Sequence, residues 1–410
     1  MKKFSVVIVG GGAAGISTAS SLLTRQPNLS IAVIDPAENH FYQPGWTMVG
    51  GGIFTPEQTK RRMKDIMPKK VHWIQQAVVG FKPEHNMVVL KDESQIAYEV
   101  LVVCPGLELN WKGIDGLEET LGKNGVTSNY LYNLAPYTWQ LVRQLKRGKA
   151  IFTQPPMPIK CAGAPQKAMY LSSNYWQKQG CLNDIQVEFF NAGGVLFGVQ
   201  DYVPALMEYV KKYAIHLNFN HQLVKVDGPN QRAWFQVTVN EEKQIIETEF
   251  DMLHVVPPQQ APDFIRSSSL VDAAGWVDVN PKTLQHNNPQ YANIFALGDV
   301  TNTSNAKTAA AVRKQAPIVA VNVLQNLQGL TQFAEYDGYG SCPLTVEQGK
   351  VVLAEFNYGG VLNPSFPKWI LDGQQPTKLA WLLKARVIPY VYWNGMLKGH
   401  EWMVKPTLKI

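Results

Sequence analysis

The chain has 410 residues, 45% of them apolar and 17% charged, with a formal net charge of +6. That length supports two or three domains, and that apolar content excludes a disordered chain. Its four cysteines (Cys104, Cys161, Cys181, Cys342) and eight histidines show no metal-ligand spacing, so no metal is expected, and a chain this long needs no disulfide framework.

The first residues, MKKFSVVIVGGG, enter a strand almost at once, and no secretory signal is visible ahead of it. No apolar run reaches the ~18–20 residues of a membrane-crossing helix. Phe4–Val9 is a β-branched run that leads into Gly10-Gly11-Gly12-Ala13-Ala14-Gly15 and a helix ending near Thr24. The next strand, Ile31–Ile34, ends at Asp35, twenty residues past Gly15. Strand, glycine loop, helix, strand and acid together form a dinucleotide fingerprint. Gly10 makes the turn, Gly12 admits the pyrophosphate, and Gly15 lets helix and strand pack; the helix N-terminus attracts phosphate and Asp35 accepts from ribose hydroxyls. Tyr98–Val103, ending in Cys104-Pro105-Gly106, and the late strand NIFALGDV (Asn293–Val300), with Asp299 at its end, resemble the second and third nucleotide motifs of two-domain FAD-dependent reductases. In that superfamily the aspartate after the late strand bonds the ribityl or pyrophosphate part of FAD. FAD is therefore the expected cofactor, bound by a discontinuous domain of residues 1–112 and 285–345.

Residues 113–284 alternate again. Lys149–Thr153 reads as a strand, Ala164–Lys178 as a helix with Pro165 in its first turn, Ile185–Asn191 as a strand and Val203–Tyr213 as a helix. This is the layout of a nicotinamide-binding domain, but its glycine fingerprint is replaced by QPPMPIKCAGAPQK. Prolines and long side chains there would block a pyrophosphate, so NADH is not the expected donor. Cys161 stands instead just before a helix N-terminus, with Lys160 and Lys167 close in sequence. A positive helix end and ammonium groups favour thiolate. A buried cysteine elsewhere reads first as a small packing residue.

The remainder, 346–410, is basic and aromatic. From Pro367 onward it holds seven basic and two acidic residues, and four of the eleven tryptophans. TKLAWLLKAR (Thr377–Arg386) sets Leu379, Leu382 and Leu383 near one helical face and Lys378, Lys384 and Arg386 elsewhere; YVYWNGMLK (Tyr390–Lys398) follows. Such segments suit a membrane surface rather than nucleic acid, with apolar residues in lipid and basic residues at phosphates. The expectation is a peripheral, monotopic protein of a prokaryotic cytoplasmic membrane. Deleting residues from about 375 is then expected to free it from membranes while leaving FAD bound.

HFYQPGWTMVGGG (His40–Gly52), PIKCAGAPQK (Pro158–Lys167), NAKTAAAV (Asn305–Val312), YDGYGSCPLT (Tyr336–Thr345) and KVVLAEFNY (Lys350–Tyr358) resemble the sulfide:quinone oxidoreductases, in the branch that includes the mitochondrial enzymes. The resemblance runs from end to end. It implies two Rossmann-like domains in tandem, of α/β class, plus a C-terminal amphipathic membrane-binding segment. It implies a redox pair, Cys161 and Cys342, facing the flavin; Gly340 and Pro343 suit a loop for Cys342. Cys104, inside the nucleotide motif, and Cys181 read as packing or surface residues. The resemblance puts Gln43, Pro44, Val78 and Lys307 beside FAD, with Lys167 and Lys307 stabilising thiolate or reduced flavin. Phe356, Tyr390 and Tyr392 are quinone-contact candidates.

Hydrosulfide attack on a cysteine disulfide would leave a persulfide and a thiolate. By resemblance Cys342 takes the sulfur and Cys161 passes electrons to flavin, though the residues alone allow the reverse. The implied partners are hydrogen sulfide, ubiquinone or a related quinone, a small sulfur acceptor (glutathione, sulfite or a second sulfide) and a second copy of the chain. Three other readings share parts of the pattern. A sulfide dehydrogenase would pass electrons to a cytochrome, a type II NADH dehydrogenase would need the missing fingerprint, and a flavin redox sensor would switch its cysteines without turnover.

Overall fold

The structure is a computed structural model describing residues 2–239, 242–406 and 408. β1 (Lys2–Val9) is buried through its Val-Val-Ile-Val half, as a strand covered on both faces requires. It runs into α1 (Ala13–Arg25), then β2 (Ile31–Ile34). With β3 (His72–Ile74) and β4 (Gln95–Val103) these form a parallel sheet in the order β3-β2-β1-β4. The late strand Ile294–Ala296 joins β4 in parallel, while Met87–Leu90 and Val78–Lys82 extend the sheet antiparallel. The register aligns Val9 with Ile34 and Val103, and Val103 with Ala296. The carboxyl ends of four strands therefore meet at one edge, where open α/β sheets bind ligands.

The second sheet is wholly parallel. Its order is Val126–Thr127, Met252–His254, β5 (Gly148–Gln154), Ile185–Asn191 and His216–Phe219. α2 (Ala164–Lys178) packs on it with its first eleven residues buried. α3 (Ala309–Leu327) packs against α1 in the first body. Then come a hairpin, β6 (Gly340–Glu347) and β7 (Lys350–Phe356), and the helices α4 (Lys378–Leu382) and α5 (Ile388–Asn394), joined by a π-helical turn, Leu383–Val387. Among the described residues no helix is long and apolar enough to cross a membrane.

Two local expectations change. Cys342 lies in a strand, not a loop: among the described residues β6 pairs only with β7, so Pro343 sits in a two-stranded ribbon that tolerates its missing N–H. The late strand stops at Ala296, and Asp299 sits in a 3-10 turn, Gly298–Val300. The first core includes Ala261, Ile265, Leu270 and Val277.

The tail is also less separate than its composition suggests. Val346, Val352 and Ala354 belong to the second core, whereas Tyr392, Met396 and Leu397 belong to the first. Ser20 donates to the Leu397 carbonyl (2.7 Å), and Arg25 and Ser21 hold the Glu401 carboxylate. The His40 ring bridges the Gly11 carbonyl (3.3 Å) and the Tyr392 hydroxyl (2.6 Å), and burial lowers its pKa to about 4, keeping it neutral. Segment 388–401 thus clamps the dinucleotide helix. Removing residues from 375 would take Tyr392, Met396 and Leu397 out of that core. Tyr392→Ala is expected to cost about 3–5 kcal/mol, as large buried aromatics do. Thermal melting with the bound-flavin ratio measured alongside checks this, and both should fall together.

Candidate active site

At the edge of the first sheet, Gly10 has φ +107°, and a Cβ there would stand 2.5 Å from the Cys104 carbonyl oxygen. Only glycine lets the loop meet the Cys104–Pro105 segment. A Cβ on Gly15 would lie 1.8 Å from the Gly10 oxygen, so α1 packs against the loop backbone itself. Ala14 is buried opposite Gly298. Asp35 accepts from the Gly11 N–H (2.5 Å) and the Ala37 N–H (2.7 Å); burial nevertheless raises its carboxyl pKa. Gly12 and Gly106 would meet nothing within 4 Å. They border open space beside the α1 N-terminus, a fit for an anionic nucleotide.

The β5–α2 loop and the β6–β7 hairpin bring two sulfurs together. Cys161 Sγ lies 3.7 Å from Cys342 Sγ, and both are free thiols. Cys161 has φ +53°, a left-handed conformation costly for a residue with a Cβ. Its N–H donates to the Lys307 carbonyl (3.0 Å) and its carbonyl accepts from Ala164 N–H (2.7 Å). A Cβ on Gly163 would stand 2.6 Å from Cys342 Sγ, so the absence of a side chain there admits the second sulfur.

Lys167, on the first turn of α2, donates to Cys161 Sγ at 3.2 Å. Burial alone would depress that ammonium, but the thiolate beside it holds its pKa above the ordinary value. The Cys161 pKa is pulled well below the usual thiol range, first by the hydrogen bond from Cys342, then by Lys167 against an opposing burial effect. Cys342 moves the other way, through its hydrogen bond with Cys161 and then its own burial. The two shifts run in opposite directions, so Cys161 is the sulfur of the pair that more readily gives up its proton.

Three more buried or partly buried lysines belong to the region: the ammonium groups of Lys160 and Lys384 act on the pair, while Lys307 meets Cys161 through its backbone carbonyl. Lys307 donates to the carbonyls of Asp299 (2.8 Å) and Thr301 (2.7 Å) and lies 4.4 Å from the Trp276 ring centre; burial lowers it to about 8. Lys160 donates to Gln43 Oε1 (2.5 Å) between the rings of Trp46 and Tyr130. Burial raises the pKa of Asp299, although Lys160 and Lys307 oppose it. Lys384, from the π-helical turn of the tail, donates to the Pro44 carbonyl (3.2 Å) and is 2% exposed. Burial first, then the like charge of Lys167, lowers it to about 7.

The turn Gln43–Gly45 therefore touches the cysteine loop through Gln43 and the tail through Pro44. Val78 lies in the first core, across from Leu90 on its edge strand. Phe356 shares the Cys342 face of the hairpin and meets Phe197 edge-on at 6.1 Å. Tyr390 is 62% exposed on α5, whereas Tyr392 is in the first core against Tyr42. The three quinone candidates are thus in three different settings. Sequence reading missed Lys384 as a site residue because its amphipathic pattern assigned that cation to a lipid-facing surface. Gly163 was legible inside the cysteine motif but had no assigned task, and Lys160, read there as an ammonium near Cys161, reaches Gln43 instead.

A model of the pyridine nucleotide-disulphide oxidoreductase family matches residues 4–151. The mitochondrial sulfide:quinone oxidoreductase of Dictyostelium discoideum is 43% identical over 98% of this chain and 88% of its own length. The Mus musculus mitochondrial protein of the same name is 37% identical over 97% of this chain and 87% of its own. In fold, the sulfide:quinone oxidoreductase structure from Aquifex aeolicus superposes with a TM-score of 0.80 at 19% identity, covering 100% of this chain and 97% of that one. Near-complete coverage by relatives above 30% identity, together with that fold, means that the chain belongs to the sulfide:quinone oxidoreductase family.

Proposed function

We propose that the chain oxidises sulfide through Cys161 and Cys342, passing two electrons by way of FAD to a quinone. The observation that carries this reading is the pair of cysteine sulfurs 3.7 Å apart with the buried Lys167 ammonium 3.2 Å from one of them. FAD is supported by the open glycine edge and by Asp35; Gly10, Gly12, Ala14, Gly15, Gly106, Asp299 and the Gln43–Pro44 turn would hold it. When bound, it supplies a two-electron acceptor.

In the oxidised state the two cysteines form a disulfide. Hydrosulfide attacks the Cys342 sulfur, the S–S bond breaks, and the pair leaves on Cys161 as thiolate. Cys342 then carries the persulfide. Lys167 and, when protonated, Lys384 stabilise the leaving thiolate where solvent is excluded. Glutathione, sulfite or a second sulfide removes the outer sulfur and returns Cys342 as a thiolate. A bound FAD would accept the two electrons whose loss restores the Cys161–Cys342 disulfide. The α4–α5 surface, with Leu379, Leu382, Val387 and Tyr390 exposed, supports peripheral attachment to a membrane holding the quinone.

Cys342→Ser is expected to bind flavin normally yet show no bleaching by sulfide; retained turnover would sink the pair mechanism. Gly163→Ala should force the sulfurs apart, cutting turnover by at least about tenfold, with flavin content unchanged. Alkylation mapping should find its disulfide poorly formed. Lys384 is charged below about pH 7 and neutral above it. Lys384→Met should therefore slow sulfide-driven flavin reduction roughly three- to tenfold below that pH and little well above it. Stopped-flow rates across the pH range check the sign, and an equal loss at every pH would assign Lys384 a packing role.

A further inference from the structure

The turning of Lys384 into the site removes a cation from the face expected to meet lipid. Lys368, also in the tail, pairs with Asp372 (3.4 Å). Lys378, Leu379, Leu382, Arg386, Val387 and Tyr390 remain exposed along α4, the π-helical turn and α5. This stripe is largely apolar. At the α5 end it runs into a different part of the chain, because Trp393, three residues past Tyr390, lies under the Arg61 guanidinium at 5.0 Å.

Arg61 belongs to the stretch KRRMKDIMPKK, residues 60–70, with six basic residues and one acidic. Arg61, Arg62, Lys64, Lys69 and Lys70 are exposed, while Met63 is buried and anchors the stretch in the first core. Asp65 offsets Arg62 through an ion pair at 2.8 Å, and the Lys60 ammonium faces the Tyr132 ring at 5.7 Å. Strand Lys60–Arg62 pairs with Asn39–Phe41, which carries the His40 that bonds Tyr392. The basic stretch and the apolar stripe are thus rigidly joined.

We infer that residues 60–64 form an anionic-lipid contact edge, continuous with the apolar stripe of the tail. This rests on the membrane reading above and deepens it by naming the lipid. The stripe enters the acyl boundary while Arg61, Arg62 and Lys64 meet headgroup phosphates. Its occupant is a bilayer surface rich in acidic phospholipid. Each cation near such a surface raises binding about fivefold, and the effect is screened by salt.

The test uses flavin-loaded full-length protein and vesicles of phosphatidylcholine alone or mixed with phosphatidylglycerol. Wild type should prefer the mixed vesicles, and added salt should erase the preference. The triple variant Arg61→Gln, Arg62→Gln, Lys64→Gln should lose at least about tenfold on mixed vesicles and change little on neutral ones. The double variant Arg62→Gln, Lys64→Gln, which keeps the Arg61–Trp393 contact, should lose part of it. An unchanged flavin spectrum shows that the variants are folded. Equal binding of wild type to both vesicle types, or a triple variant that keeps the preference, overturns the lipid edge and leaves attachment intact. Wild type that binds neither overturns both.

Discussion

A buried ammonium against a half-buried cysteine sulfur is the contact on which the site depends. Neither Lys167 nor Cys161 would keep its charge alone at that depth, since burial penalises each ion. The pair persists because the chain brings it together from one loop and one helical turn, and because Cys342 adds a hydrogen bond from a strand 181 residues away. The cost of the left-handed backbone at Cys161 is offset by hydrogen bonds to Lys307 and Ala164 on either side. The same loop position in a nicotinamide domain would hold a pyrophosphate. Here it holds a sulfur.

The Gln43–Gly45 turn spreads that arrangement through the molecule. Through Lys160 it reaches the cysteine loop, and through Lys384 it reaches the tail. Two residues earlier the strand Asn39–Phe41 carries His40, which links the dinucleotide loop to α5. The segment with the exposed apolar stripe is therefore also the segment that packs against the glycine loop and the cysteine pair. The cysteine loop, the glycine edge and the tail are held by one continuous set of contacts.

Much of this was legible in the residues. The glycine loop, Asp35 and the strands around them follow from β-branched runs and spacing, and Ala164–Lys178 and Ile185–Asn191 match the observed elements residue for residue. The cysteine motifs carried the family. What stayed hidden depends on tertiary packing. A leucine-rich tail with scattered lysines looks the same whether Lys384 points to lipid or inward, because helical periodicity does not reveal a π-helical turn. Pro343 spoke for a loop because proline is excluded from interior strands; a two-stranded ribbon relaxes that rule. That Tyr392 lies in a buried seam was likewise hidden, because aromatic residues suit a lipid interface as well as a core.

The central claim is that sulfide, not a nicotinamide, delivers electrons through the cysteine pair to the flavin, and that a quinone removes them. The most direct measurement is anaerobic flavin absorbance with sulfide in one cuvette and NADH in another, followed by a short-chain quinone. Bleaching by sulfide alone, restored by quinone, is the expected result. Bleaching by NADH alone would mean that the Pro155–Lys167 loop admits a dinucleotide after all, and the sulfide mechanism would be wrong.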